Sequence, residues 1–320
     1  MADYSQRLKK ISDRPALEAE LLLAFVLKKD RAWLLAHNDY LIKNHEPAYV
    51  PQGELRIANN LINKRLKGEP LAYLLGEQEF YGLPLKVNKN VLIPRPETEM
   101  IVDLICHDTS YQSFPRRRGS RQLPKSTKIR MPATAGMLEK NIIIDVGTGS
   151  GAIIISLAKT LKNKNNKFFA IDISASALKI AKQNAKLNGV SKKIKFIQGN
   201  LLEPLFKNLE IKNCFKILNF KLKIIANLPY LTPRQIKNER GIQFEPKTAL
   251  DGGADGLKYY RLLAKQIQKI KKTYPQLKIE LLAEIDPTQA KLMKKLFAYA
   301  KKFTIKKDFR NLSRLCVIEI

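Results

Sequence analysis

The sequence predicts an α/β protein in which a small all-helical domain precedes a larger domain built on a mostly parallel sheet. Three observations support this prediction. Apolar residues recur at helical spacing near the amino terminus, a buried strand in the middle of the chain runs into a glycine-rich turn and a helix, and further short apolar strands follow. A length of 320 residues is enough for about two domains.

The composition is that of a globular protein, with 45% hydrophobic and 27% charged residues. No run approaches ~20 apolar residues, and no apolar segment follows the basic residues near the amino terminus, so we expect no membrane span, no signal peptide and a cytoplasmic location. The three cysteines, Cys106, Cys214 and Cys316, lack metal-binding spacing. We therefore expect reduced thiols and no metal site.

The net charge of +29 is concentrated in residues 141–320, which hold 35 Lys and Arg against 13 Asp and Glu. One interpretation is attraction to RNA or to an acidic partner. The other is a lysine-rich composition that merely solvates the surface. The second is favoured, because the lysines recur singly on helical faces without interleaved aromatic residues.

The helical domain is predicted over residues 1–77. Apolar residues recur at helical spacing over residues 17–35 and 55–66, and Pro15 marks a helix start. Trp33 falls within the first pattern and is interpreted as a core residue. A helical unit with nearly balanced charge beside the larger domain suggests a module that docks a substrate.

Short β segments between residues 79 and 93, on either side of a turn at residues 88–90, predict a β-hairpin that joins the two domains over residues 78–94. The second domain then spans residues 95–320 and begins with a helix at Pro96. Residues 108–140 are basic, rich in proline and poor in apolar residues, so we expect a disordered insertion there. An arm that contacts RNA is the alternative.

The glycine-rich turn follows a strand at residues 141–146 and precedes a helical pattern. Its alternate glycines let the backbone turn sharply and approach a ligand closely. Asp172 lies 21 residues after Gly151, at the end of the next strand, where a carboxylate can accept both hydroxyls of a ribose. The third strand ends at Asn200 and Leu201, where an adenine edge would be read.

The glycine pattern distinguishes between two nucleotide cofactors. A nicotinamide dinucleotide needs G-x-G-x-x-G to seat its pyrophosphate on a helix N-terminus, whereas here glycines alternate after Asp145. An acid at that place fits the ammonium group of S-adenosyl-L-methionine, and a structural turn without a ligand is the alternative. The predicted cofactor-binding residues are Asp145, Gly147, Thr148, Gly149, Ser150, Gly151, Asp172, Asn200, Leu201 and Asn227.

The tetrapeptide Asn227-Leu228-Pro229-Tyr230 follows a further apolar strand at residues 223–226. Open α/β sheets bind ligands at such strand ends. The Asn227 side-chain oxygen and the Leu228 carbonyl offer two acceptors, Pro229 stiffens the loop and Tyr230 offers an aromatic face. This combination suits a planar amino group, and an ordinary turn is the alternative.

Four motifs resemble the release factor glutamine methyltransferase family. They are Ile-Pro-Arg-Pro-Glu-Thr-Glu at residues 93–99, Asp-Val-Gly-Thr-Gly-Ser-Gly at 145–151, the tetrapeptide at 227–230, and Phe-Glu-Pro with Gly-Gly-Ala-Asp-Gly-Leu within 244–257. The resemblance covers nearly the whole chain except residues 108–140. It implies a Rossmann-like, class I S-adenosyl-L-methionine-dependent methyltransferase fold with a sheet of about seven strands.

The closing strands of that sheet are expected at residues 279–285 and 315–320, with a helix at 289–299 between them. The reaction implied by the resemblance is methyl transfer to the side-chain amide nitrogen of the glutamine in the Gly-Gly-Gln motif of peptide-chain release factors. We expect these proteins as partners, no membrane, no requirement for nucleic acid, and a monomer. A weak RNA or ribosome contact is compatible with the charge.

The tetrapeptide departs from the family's usual Asn-Pro-Pro-Tyr at Leu228, which keeps the acceptor carbonyl but lowers the rigidity of the loop. Asn-Leu-Pro-Tyr also resembles the motif of the ribosomal RNA adenine dimethyltransferases, so methylation of adenine N6 in ribosomal RNA is the alternative function. The runs around Arg95 and Glu245 favour glutamine. Both residues are expected to shape the site, and a solvent-exposed carboxylate is the alternative for Glu245.

An amide nitrogen is a poor nucleophile because its lone pair is delocalised. We hypothesise that Asn227 Oδ1 and the Leu228 carbonyl accept its two N–H bonds, that Tyr230 packs on the flat amide and that Pro229 sets the loop. A binding protein that uses the cofactor without catalysis is the most remote alternative.

Overall fold

The computed structural model describes residues 2–36, 52–106, 140–208, 211, 213, 215 and 220–320. The insertion expected at residues 108–140 therefore lies outside the described residues, apart from Lys140, which begins a strand. Within the described part of the chain, no helix is long and apolar enough to cross a membrane.

The amino-terminal part is helical, as predicted. Its helices are α1 (Ala2–Leu8), α2 (Pro15–Leu27), α3 (Arg31–Ala36), α4 (Gln52–Leu66) and α5 (Leu71–Leu75). They surround their own apolar cluster, in which Leu8, Leu22 and Ile62 are fully buried and Trp33 packs at the edge. The pattern over residues 17–35 is interrupted, because Lys28 adopts a left-handed conformation (φ 53°) and ends α2.

A β-hairpin follows α5, but its turn is not at residues 88–90 as the sequence indicated. Strands β1 (Glu77–Phe80) and β2 (Leu83–Lys86) pair antiparallel around Tyr81 and Gly82, with φ values of 53° and 72°. A two-residue turn with positive φ at both positions matches the twist of the strands. The Tyr81 N–H donates to Glu99 Oε1 at 2.7 Å, and this tertiary bond favours a conformation that tyrosine alone disfavours.

The second domain contains the seven-stranded sheet that was predicted. Its strands are β3 (Lys140–Val146), β4 (Lys167–Asp172), β5 (Ile194–Gln198), β6 (Phe220–Ala226), β7 (Lys278–Glu284), β8 (Lys302–Lys307) and β9 (Ser313–Glu319). Their order is β5-β4-β3-β6-β7-β9-β8, and only β9 pairs antiparallel with its two neighbours. The edge strand β8 was missed, because four of its six residues, Lys302, Thr304, Lys306 and Lys307, are polar.

Helices cover both faces of the sheet. They are α6 (Glu99–Cys106), α7 (Ala152–Thr160), α8 (Ala175–Leu187), α9 (Pro233–Asn238), α10 (Lys258–Thr273) and α11 (Ala290–Leu296). Successive residues of β3 point to opposite faces: Ile142 and Ile144 lie in the cluster that α10 covers, and Ile143 lies in the cluster with α7. A parallel sheet buried on both sides explains the continuous apolar runs in its strands.

Candidate active site

One cavity lies at the carboxyl ends of the central parallel strands, where the strand ends are in register. Val146 pairs with Ile171 and with Ala226, and Ala226 pairs with Ala283. The loops that follow these residues therefore meet at one edge of the sheet. The predicted residues that line the cavity are Gly147, Thr148, Gly149, Ser150, Asp172, Asn200, Leu201, Asn227, Leu228 and Pro229. Asp145, Gly151 and Tyr230 do not line it.

The glycine loop is left-handed at all three glycines, with φ values of 72°, 54° and 82° at Gly147, Gly149 and Gly151. The glycines differ in what surrounds them. A Cβ at Gly151 would lie 2.7 Å from Ile155 Cδ1, so this glycine allows close helix packing, whereas a Cβ at Gly149 would meet no protein atom closer than 4.0 Å. Gly149 thus borders the space for a ligand, whereas Gly151 allows the loop to pack closely against the helix that follows it.

Asp145 is turned away from the cavity and is only 1% exposed. Its carboxylate accepts a hydrogen bond from Thr148 Oγ1 at 2.7 Å. Burial raises the pKa of this carboxyl to about 7, although the Thr148 bond opposes the shift. Asp145 therefore does not line the cavity, and its contact with the ammonium group of a cofactor stays a prediction. Asp145 instead stabilises the curvature of the glycine loop through its bond with Thr148. The sequence could not indicate this role, because the direction of the Asp145 side chain depends on that curvature.

Asp172 is held as a preorganised acceptor at the cavity wall. One carboxylate oxygen accepts the Gly149 N–H and the other accepts the Ser174 N–H, both at 2.9 Å. Burial raises the pKa of Asp172, and these backbone donors oppose that shift. Because a carboxylate has about four acceptor positions, acceptor capacity remains for a ligand hydroxyl group.

The loop after β5 forms the next part of the wall. Leu201 is buried with a positive φ of 52°, which turns the chain sharply after the strand. Asn200 Nδ2 donates to Glu203 Oε1 at 3.1 Å, which directs its amide group.

Asn227 lies at one end of a partly buried hydrogen-bond network. Its Nδ2 donates to Thr98 Oγ1 at 3.1 Å, and Thr98 Oγ1 donates to Glu284 Oε2 at 2.7 Å. Burial raises the pKa of Glu284, while the Thr98 bond and the positive charge of Arg314 oppose the shift. Sequence reasoning missed Thr98 and Glu284; the only signal for Glu284 was its place at the end of an apolar strand.

Tyr230 is also part of this network and does not present its ring to the cavity, contrary to the sequence-based expectation. Its hydroxyl donates to Glu284 Oε1 at 3.3 Å, and its ring packs against the main apolar cluster. Burial raises the pKa of Tyr230. The tyrosine therefore holds the loop through contacts on the side away from the cavity.

Leu228 is fixed by packing. It is 3% exposed, it belongs to the main apolar cluster, and its Cδ2 would lie 3.1 Å from a Cβ at Gly147. These contacts restrict the Leu228 side chain at the position where the family's usual motif has proline. Among the described residues, no donor contacts the Leu228 carbonyl or Asn227 Oδ1, so both acceptors are available to a ligand.

A second glycine-containing segment, residues 252–257, lies directly beneath the tetrapeptide. Gly252 N–H donates to the Leu231 carbonyl at 2.8 Å, and a Cβ at Gly252 would lie 2.6 Å from the Pro229 carbonyl oxygen. Gln289 Nε2 donates to the Tyr230 carbonyl at 2.7 Å. The specific Gly-Gly-Ala-Asp-Gly motif therefore serves to hold the loop.

We predict that Gly252→Ala lowers the free energy of unfolding by ~1–3 kcal/mol, because the new methyl group would overlap backbone atoms. Urea unfolding measures this effect. Gly241→Ala is the matched control, since a Cβ there meets no atom within 4 Å and neither glycine has a positive φ; it should stay within ~1 kcal/mol of the wild type. Equal stability of the two variants would contradict the close contact.

Arg95 and Glu245 form an ion pair beside the cavity. Glu245 is 4% exposed, pairs with Arg95 through Oε1, and accepts the Ile93 N–H through Oε2 at 3.1 Å. The alternative of a solvent-exposed carboxylate is therefore wrong. Arg95 itself lines the cavity, and this ion pair ties the segment before Pro96 to the loop that precedes the second glycine segment.

Asn184 on α8 connects the hairpin with the glycine loop. It is fully buried; its Oδ1 accepts the Lys86 N–H at 2.7 Å, and its Nδ2 donates to the carbonyls of Lys86 and Ser150, both at 2.9 Å. Phe80 and Leu85 of the hairpin also belong to the cluster around α7. The hairpin is thus packed onto the domain that forms the cavity.

The arrangement combines a glycine loop, a carboxylate suited to a ribose and two free acceptors at the next strand end. Such a site can hold a nucleoside-like cofactor beside a planar NH₂ group. Among the described residues, no group of three or more His, Cys, Asp or Glu side chains could hold a metal ion.

Two family models match the chain: a methyltransferase domain over residues 139–309 and the PrmC N-terminal domain over residues 1–76. The release factor glutamine methyltransferases of Coxiella burnetii and Dictyoglomus turgidum are each 33% identical to it, over 98% and 95% of this chain and 95% and 87% of their own lengths. The bifunctional methyltransferase of Rickettsia bellii is 32% identical over 84% of this chain and 45% of its own length. The chain therefore belongs to the release factor glutamine methyltransferase family, as its motifs predicted.

Proposed function

We propose that the protein transfers a methyl group from S-adenosyl-L-methionine to the side-chain amide nitrogen (N5) of the glutamine in the Gly-Gly-Gln motif of peptide-chain release factors. The observation that carries this proposal is the pair of available acceptors, Asn227 Oδ1 and the Leu228 carbonyl, beside a glycine loop at one end of the sheet. Family membership supports the same reaction.

The residues at the cavity fit the cofactor. Gly149 leaves open space at its Cα, and Asp172 keeps acceptor positions for ribose hydroxyls. Asn200 and Leu201 lie where the adenine would be held, and Asp145 and Gly151 act through the shape of the loop. When bound, S-adenosyl-L-methionine supplies an electrophilic methyl group.

The acceptor pair prepares the glutamine nitrogen. Two hydrogen bonds accepted by Asn227 Oδ1 and the Leu228 carbonyl would hold both N–H groups, so that the nitrogen lone pair faces the cavity. The same bonds stabilise the positive charge that develops on the nitrogen during methylation. Positioning and electrostatics therefore provide the catalysis, and no titrating base is needed before transfer.

The substrate contacts the chain at a wall formed by Arg95, Pro246 and Thr248, which line the same cavity. We assign the helical domain, residues 1–77, to docking of the release factor. We also propose that the enzyme works in the cytoplasm as a monomer, joined by the hairpin region at 78–94 to the methyltransferase domain at 95–320. Nucleic acid is not required for this reaction.

The test is methyl transfer from labelled S-adenosyl-L-methionine to purified release factor or to ribosomal RNA. We expect label on the release factor, on the glutamine of Gly-Gly-Gln, and its loss when that glutamine is replaced by glutamate. Label on adenine N6 of the RNA alone would reject the proposal in favour of the alternative suggested by Asn-Leu-Pro-Tyr. Cofactor binding without transfer to either substrate would point to a binding protein.

A further inference from the structure

The two ends of the Asn227 side chain are chemically opposite, and only one of them suits the proposed function on which this inference rests. The carbonyl end can accept a hydrogen bond from the NH₂ group of a substrate amide. The NH₂ end cannot, because it would place its own donor hydrogens against those of the substrate. We propose that Thr98 and Glu284 are positioning residues that fix the orientation of the Asn227 amide, with its oxygen towards the cavity.

Thr98 has a single hydroxyl hydrogen, and the geometry assigns it to Glu284. Thr98 is 4% exposed, and its Oγ1 lies 2.7 Å from Glu284 Oε2. Once that hydrogen is used, Thr98 Oγ1 can only accept from Asn227, 3.1 Å away. The Asn227 NH₂ is therefore directed towards Thr98, and its oxygen is directed away.

If the Asn227 side-chain oxygen and NH₂ group exchanged places, this series of hydrogen bonds would be broken. Asn227 Oδ1 would then need the Thr98 hydrogen, and Thr98 Oγ1 would face Glu284 Oε2 without a hydrogen between them. An unpaired, buried acceptor of this kind is disfavoured by ~10–100-fold in population, and by more when it is charged. The reversed orientation is thus suppressed without any contact from the substrate.

Glu284 is placed for this role by the sheet itself. Ala226 pairs with Ala283, so Asn227, which follows β6, lies beside Glu284, the last residue of β7. The second carboxylate oxygen of Glu284 accepts the Tyr230 hydroxyl at 3.3 Å. Burial raises the pKa of the Glu284 carboxyl, and the two hydroxyl donors and the positive charge of Arg314 on β9 oppose that shift and favour the acceptor-only carboxylate.

The test compares Thr98→Val, which removes the hydroxyl at nearly constant shape, with Thr98→Ser, which retains it. Methyl transfer to a release factor is measured at saturating S-adenosyl-L-methionine. We expect kcat of the valine variant to fall ~10–100-fold with cofactor Kd unchanged, and the serine variant to stay within ~3-fold of the wild type. Thr273→Val, an exposed threonine of α10, is the matched control and should not change kcat.

Full kcat in Thr98→Val would overturn the proposal, and so would an equal loss in the serine variant, because packing alone would then explain it. If the valine variant does not fold, Glu284→Gln replaces it: its side-chain NH₂ competes for Thr98, so an unchanged kcat would equally overturn the proposal. Wild-type activity on ribosomal RNA instead of a release factor would reject the proposed function only. The same variants then test the orientation on the adenine amino group.

Discussion

Replacing Asn227 by alanine is expected to lower the turnover of methyl transfer by ~10²–10³-fold, in line with the loss of one preorganised polar contact at a reacting group. The side-chain acceptor would be lost while the Leu228 carbonyl stays in place. The glycine loop and Asp172 are untouched, so affinity for S-adenosyl-L-methionine should persist. Single-turnover transfer to a release factor and calorimetric titration of the cofactor measure the two quantities separately.

Asn165→Ala is the matched control for this experiment. Asn165 is an exposed asparagine in the loop after α7 and does not line the cavity, so its replacement should leave turnover unchanged. Near-wild-type transfer by the Asn227 variant would exclude the acceptor role assigned to this residue. A loss of cofactor affinity as large as the loss of turnover would instead make Asn227 chiefly a cofactor-binding residue.

Gly149→Val is expected to abolish measurable cofactor binding. The branched side chain would project into the space beside the loop, where no protein atom lies closer than 4.0 Å to the added Cβ. Valine also disfavours the left-handed conformation that the loop requires at this position (φ 54°). Isothermal titration with S-adenosyl-L-methionine measures the effect directly.

Gly149→Val both strains the backbone and fills the space for the ligand. Gly189→Val strains the backbone only, so it separates the two effects. Gly189 also has a positive φ, of 71°, and open space around its Cα, but it lies after α8 and away from the cavity. We expect this control to lose stability while its cofactor affinity is kept. If both variants bind the cofactor equally well, Gly149 does not border the cofactor site.

The parts of the site that lie at strand ends could be predicted from the sequence, because their position follows from short-range patterns. Asp172 and Asn227 each follow an apolar run, and parallel strands bring such residues to one edge of the sheet. The glycine loop was recognisable for the same reason. Local pattern and topology together were therefore sufficient for the fold and for most of the cavity.

The supporting network could not be predicted, because its members are distant along the chain. Thr98 and Glu284 are separated by 186 residues, and nothing in a single sequence indicates that they touch. The inward direction of Asp145 and Tyr230 depends on loop curvature. The hairpin turn at Tyr81 was missed because a tertiary bond to Glu99 stabilises an unfavourable tyrosine conformation.

The bridge made by Asn184 has a consequence for the energetics of the two ends of the molecule. One buried amide binds both Lys86 in the hairpin and Ser150 in the glycine loop, so a ligand that orders the loop would also stabilise the hairpin that follows the helical domain. Such thermodynamic linkage is reciprocal. A protein that binds the helical domain and stabilises the hairpin would therefore increase the affinity for the cofactor. The cofactor would increase the affinity for that protein by the same factor.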